Sequence, residues 1–191
     1  MSEFIRCLVG MFAVIAPLGA VAAVLADRVR AGALPHDSRL MLGGPAAALA
    51  VLAAFAALSD PLLDWLDVSP ESFQFAAGAA MFPLALRLIL QGDSASLPER
   101  PPSYAWLVPL AVPMLAGPSS IIAGVSYAAR FGESEAIAAS AIVLALTAGM
   151  LAAMEWFEKM PLVLVQTAAR LSGALLVVIA VELAVDGVRS V

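Results

Sequence analysis

Six long apolar stretches, each bounded by polar or turn-forming residues, constrain this chain more than anything else in it. They run over residues 5–26, 40–58, 72–91, 104–128, 134–154 and 165–187. A helix needs about 20 apolar residues to cross a hydrocarbon core about 30 Å thick, and each stretch comes near that length. The connectors DRVRAGALPHDSR, SDPLLDWLDVSPE, GDSASLPERPPS, RFGESE and EWFEKMP leave no room for a sizeable soluble domain. Composition agrees: the 191 residues are 62% hydrophobic and 13% charged, whereas soluble domains run near 45–50% apolar and about 25% charged. The expectation is an all-α membrane protein, one transmembrane domain over residues 1–191 with six spans. Arg6 ahead of an apolar run, with Val24-Leu25-Ala26 beyond it, looks like a signal peptide. The segment reads better as a retained first span.

The fourth stretch contains an oddity. VPLAVPMLAGPSSIIAG, residues 108–124, carries Pro109, Pro113 and Pro118, with Gly117 beside the last. Proline removes a helical hydrogen bond and disfavours helix at the residue before it. In hydrocarbon such breaks are tolerated only where the backbone is buried in protein or lines a cavity. A Gly-Pro step can also start a half-helix, whose free N–H groups at Ser119, Ser120 and Ile121 would face an anion or a carbonyl. Ala16-Pro17 in the first stretch parallels it, with Leu18, Gly19 and Ala20 in the same part. The first and fourth helices are therefore expected to be broken or kinked, and Pro17, Gly19, Gly117, Pro118, Ser119 and Ser120 are the candidate solute-binding residues. The competing reading is a pair of kinked packing helices whose glycines allow close approach.

The halves repeat. SFQFAAGAAMFPLALRLILQG ends at Gly92 with Gly78 inside it, and TAARLSGALLVVIAVELAVDG ends at Gly187 with Gly173 inside it. With the glycines matched, Arg87 aligns with Glu182. Three spans per half make the second half inverted, giving one repeat over about 1–95 and another over about 101–191. Orientation follows from Lys and Arg. The first, third and fifth connectors hold Arg28, Arg30, Arg39, Arg100 and Lys159, with Arg87 and Arg170 at span ends on that side. The second connector is acidic: Asp60, Asp64, Asp67 and Glu71. Both termini are thus expected on the outer, periplasmic side. Leu62, Leu63, Trp65 and Leu66 suggest a short interfacial helix. Trp65, Trp106 and Trp156 fall near span ends, where amphipathic rings prefer to sit.

An ionisable residue inside a span is a functional candidate by default, which makes Glu182 a candidate ion-coupling residue. Against that, it sits near the end of its span and opposite the small-residue stripe of Gly173, Ala180, Ala184 and Gly187. Arg87 and Arg170 read as snorkelling anchors, and Tyr127 with Ser126 as markers of the membrane interface. Enzyme chemistry finds no support. His36 is the sole histidine and lies in a connector, Cys7 is the sole cysteine, and neither H-E-x-x-H nor a glycine-rich phosphate loop occurs. No metal or other cofactor is expected, and no basic run points to nucleic acid.

FAVIAPLGAVAAVL, SFQFAAGAAMFPLAL, VPLAVPMLAGPSSI and ARLSGALLVVIAVELAVDGV resemble, in order, the first, third, fourth and sixth spans of the MarC (UPF0056) family of bacterial inner-membrane proteins. The resemblance covers nearly the whole chain. It implies six spans, a bacterial inner-membrane location and a distant tie to LysE-type exporters. Two positions depart from the family pattern: Ala16 stands where asparagine is usual, and Glu182 where glutamine is usual. The expected function is that of a small secondary transporter or exporter moving an unidentified small solute. The alternative is a non-transporting membrane scaffold or interaction protein. The partners expected are the lipid bilayer, that solute and, as an option left open, further copies of the chain.

Overall fold

The computed structural model describes residues 3–31, 42–91, 111–112, 115–157, 159 and 162–189. These form α1 (Glu3–Ile15), α2 (Pro17–Ala31), α3 (Gly44–Ala57), α4 (Ser59–Leu66), α5 (Pro70–Gln91), α6 (Pro118–Phe131), α7 (Glu133–Ala152), α8 (Met154–Phe157) and α9 (Leu162–Arg189). Among the described residues, four helical stretches are long and apolar enough to cross a membrane: Glu3–Leu25, which takes in α1 and most of α2, Pro70–Leu90, Glu133–Ala152 and Arg170–Arg189. A fifth arises if α3 and α4, bent by 54° from one another, count as one span. The expected six are therefore met by four or five. Residues 104–110 and 113–114 of the expected fourth span, Trp106, Pro109 and Pro113 among them, lie outside the described residues.

Local chemistry sets the boundaries. The short helix expected after the second stretch is α4. It ends at Asp67, whose φ of 53° is left-handed, a conformation that Asp tolerates better than most residues. Ser69 then caps α5: its Oγ accepts the Ser72 N–H at 3.2 Å. Gly132 separates α6 from α7 at φ 106°, where a side chain would be strained. Inside α7 the buried hydroxyls of Ser140 and Thr147 donate to the carbonyls of Ala136 and Val143, at 2.7 and 2.8 Å. Each polar group is thereby satisfied within its own helix, as hydrocarbon requires.

The most extensive packing is between α5 and α9. They run antiparallel and nearly backbone to backbone. A Cβ on Gly78 would meet Ala184 N at 2.6 Å, one on Gly173 would meet Ile89 N at 3.1 Å, and one on Gly187 would meet Phe75 N at 2.6 Å. Small residues at such seams replace the hydrophobic drive that lipid cannot supply. Large apolar side chains on the outer faces, such as Phe75, Ile142, Leu146, Leu171 and Val178, are exposed, as befits a surface that meets lipid. Arg6 lies beside Glu182, Cys7 Sγ lies 3.8 Å from the Glu135 carbonyl, and Gly187 lies on Glu71. The N-terminal end of α1, the α4–α5 corner, the α6–α7 turn and the C-terminal end of α9 thus gather at one end of the bundle. Arg87 and Arg170 are exposed toward the other.

Candidate functional site

The first helix is interrupted where the sequence places the break. Ala16 has φ 48°, a left-handed conformation between α1 and α2. Its N–H still donates to the Phe12 carbonyl at 3.1 Å, and its own carbonyl accepts from Gly19 at 2.8 Å and Ala20 at 3.2 Å. The Gly19 and Ala20 amides, expected to face a ligand, are therefore engaged within the chain. Pro17 and Gly19 are buried. A Cβ on Gly19 would meet only the Ala16 Cβ, at 3.6 Å, so packing alone does not demand glycine there.

The second break is a fresh helix start. Ala116 N–H closes a wide turn onto the Ala111 carbonyl at 2.8 Å. Gly117 follows in extended conformation, φ −78° and ψ 173°, and α6 begins at Pro118 with no side chain capping it. Ile121 N–H makes the first helical bond, to the Gly117 carbonyl at 3.0 Å. Gly117 is buried, Pro118 is exposed, Ser119 is half-buried and Ser120 is 1% exposed. Pro83 makes the contrast: it sits inside α5, exposed, and leaves that helix continuous.

The breaks are brought into one neighbourhood by α1 and α6, which pack antiparallel, with the Tyr127 hydroxyl resting on Gly10. Ala16 is six residues from Gly10 and Gly117 ten from Tyr127, on the same side of that contact. At 1.5 Å per residue they lie about 9 and about 15 Å below it. Beyond the first break, α2 packs on α9 and α7.

Glu182 is exposed and lies opposite the seam of Gly173, Ala180 and Gly187, as its spacing predicts. It lines a cavity of about 20 Å³ together with Arg6, Tyr127, Arg130, Phe131 and Leu183. Arg130 Nη1 donates to Asp186 Oδ2 at 2.5 Å. Sequence reasoning missed this convergence. It places Tyr127 at the interface, whereas Tyr127 is 5% exposed, because α6 runs another full turn to Phe131. The available signal was spacing: Tyr127 with Arg130 and Glu182 with Asp186 each share a helical face. Ser126, also read as an interface residue, is buried, with no hydrogen-bond partner for its hydroxyl among the described residues.

An all-helical chain with several apolar spans, lipid-compatible outer faces and backbone breaks inside the bundle is a multi-pass integral membrane protein. The chain belongs to the MarC family: the family model described as "MarC family integral membrane protein" matches residues 1–191. A UPF0056 membrane protein of Methanocaldococcus jannaschii is 26% identical over 200 residues, covering 97% of this chain and 96% of that protein. The UPF0056 membrane protein YhcE of Escherichia coli is 24% identical over 204 residues, covering 98% and 93%. No solved structure matches.

Proposed function

We propose that this protein is a small secondary transporter or exporter that moves a small solute across the bacterial inner membrane. The observation that carries the reading is the pair of breaks at Ala16-Pro17 and Gly117-Pro118, with Pro17, Gly117 and Ser120 buried in the bundle. A backbone break at membrane depth is costly unless protein or a cavity shelters it, and transporters place their solute sites at such discontinuous helices. In this reading Gly117, Pro118, Ser119 and Ser120 form the fourth-span half of the site. The start of α6 offers backbone N–H groups to a carbonyl or anionic group of the solute, and Ser119 and Ser120 add hydroxyls. Pro17 and Gly19 contribute shape from the first span.

The reading also takes the chain as six spans in two inverted repeats, about 1–95 and about 101–191. The α5–α9 seam supports this. Gly78 meets Ala184 and Gly173 meets Ile89. A single shift along the sequence carries Gly78 onto Gly173 and Ile89 onto Ala184, so the two contacts are one contact repeated. Both termini are placed in the periplasm on the Lys and Arg asymmetry.

The deciding experiment compares metabolite pools in cells with and without the protein, then measures movement of any retained solute in proteoliposomes. Gly117→Leu should abolish that movement while the protein remains in the membrane. If no solute pool changes and proteoliposomes carry nothing, the breaks are packing kinks and the protein is a scaffold.

A further inference from the structure

We infer that the Tyr127–Gly10 contact and the Arg130–Asp186 ion pair form a gate, closed in this structure, at the end of the bundle where α1, α6 and α9 converge. The inference rests on the transporter reading and adds the element that regulates access to its site. A continuous chain of contacts crosses that end. The Tyr127 hydroxyl lies so close over Gly10 that a Cβ there would overlap the phenol ring. Tyr127 stacks on Phe131, with ring centroids 6.0 Å apart and planes at 23°. The Arg130 guanidinium sits 5.1 Å from the Phe131 centroid and binds Asp186 on α9. Three helices are thus joined through two side chains and a ring, all carried by α6.

Below the closure the same face of α6 carries small side chains. Ser120, Gly124 and Tyr127 fall at helical spacing on one side. Gly124 is buried, yet no described residue comes within 4 Å of where its Cβ would stand. That face begins at the Gly117-Pro118 break. The cavity beneath Arg6 and Glu182 measures about 20 Å³, room for about one water. Arg6, Arg130, Glu182 and Asp186 cancel in charge, so the cluster holds no fixed attraction for an ion. The ion pair is partly exposed, 30% and 24% at its two side chains, and pairs of that kind are weak enough to break and re-form. Tyr127 meets α1 through a glycine, without a side chain to interlock. Both contacts suit a joint that opens.

The test is thiol accessibility in the full-length protein, and it needs no solute. Leu183 is 2% exposed and lines the cavity. With Cys7→Ala and Leu183→Cys, a membrane-impermeant maleimide should react slowly. Adding Arg130→Ala should speed the reaction roughly 1.5- to 5-fold, about the effect of losing one such pair. Tyr127→Ala should speed it at least as much, and Arg130→Asp with Asp186→Arg should slow it again. A cysteine at Ala85, buried in the other half of α5, should stay unreactive throughout. Unchanged labelling at Leu183→Cys would overturn the gate, as would equal acceleration at Ala85→Cys, which marks a static clamp whose loss loosens everything. If solute movement is nonetheless lost in Gly117→Leu, the gate alone has failed. If no solute moves in the native protein, the transporter reading has failed.

Discussion

Gly78 lies on Ala184 so closely that a Cβ on the glycine would stand 2.6 Å from the alanine's backbone nitrogen. Backbone cannot yield as a flexible side chain can. Gly78→Ala should therefore destabilise the protein by about 1–3 kcal/mol, the usual range for overpacking. Gly149, inside α7 with open space where its Cβ would be, should do the opposite. Gly149→Ala should stabilise by about 0.5–1 kcal/mol through helix propensity. Thermal unfolding of the two variants in one detergent checks both. A seam loose enough to accept Gly78→Ala without loss would show that α5 and α9 are not packed as described.

Ala16 holds a left-handed backbone, φ 48°. For an L-residue with an ordinary side chain that conformation costs roughly 1–2 kcal/mol, and asparagine adopts it several times more readily. Ala16→Asn and Ala16→Gly should each stabilise by about 0.5–1 kcal/mol in thermal unfolding, whereas Ala16→Val should destabilise. If asparagine and valine behave alike, the residue is not held at positive φ.

Gly19 separates space from function. Gly19→Ala fits without displacing anything beyond ordinary contact with Ala16, so expression and unfolding temperature should stay near native. Any loss of solute movement in that variant would then come from the site itself. Ser119→Ala and Ser120→Ala should weaken apparent affinity by about 0.5–1.5 kcal/mol, one hydrogen bond's worth, as read from concentration dependence in proteoliposomes. An unchanged affinity in both would remove the hydroxyls from the site.

Glu182 is exposed beside Arg6 and Arg130 rather than sealed in the bundle. Glu182→Gln should leave solute movement within about twofold of native, since an exposed charge in high dielectric contributes little. Loss of all movement at normal expression would establish a coupling carboxylate there.

Orientation has its own measurement. In a Cys7→Ala background, a cysteine at Val68 should react with impermeant thiol reagents in whole cells. One at Lys159 should react only with permeant reagents. The reverse pattern would invert the assignment of the termini.

Much of this architecture is legible in the sequence, for identifiable reasons. Apolar length marks the spans, and the Ser-Asp-Pro and Val-Ser-Pro turns bracket α4. Glu182 falls outside the small-residue seam because two residues turn a helix by about 200°. The prolines are only half legible. Pro17 and Pro118 coincide with breaks while Pro83 does not, and the difference lies in the backbone before each proline and in what packs there. The sign of φ at Ala16 is invisible, since alanine advertises no preference for it. Nor does anything local announce that Tyr127 lies on Gly10, because the match depends on how α1 and α6 are docked. Hydropathy does not foresee that the chain turns 54° from α3 into α4 at the end of the second apolar run.

That bend has a consequence for the surrounding lipid. α4 leaves the line of α3 by 54° with Trp65 83% exposed, which suits a helix lying along the headgroup boundary, where amphipathic rings prefer to sit. The lipid headgroups thereby become the surface on which this corner of the bundle rests.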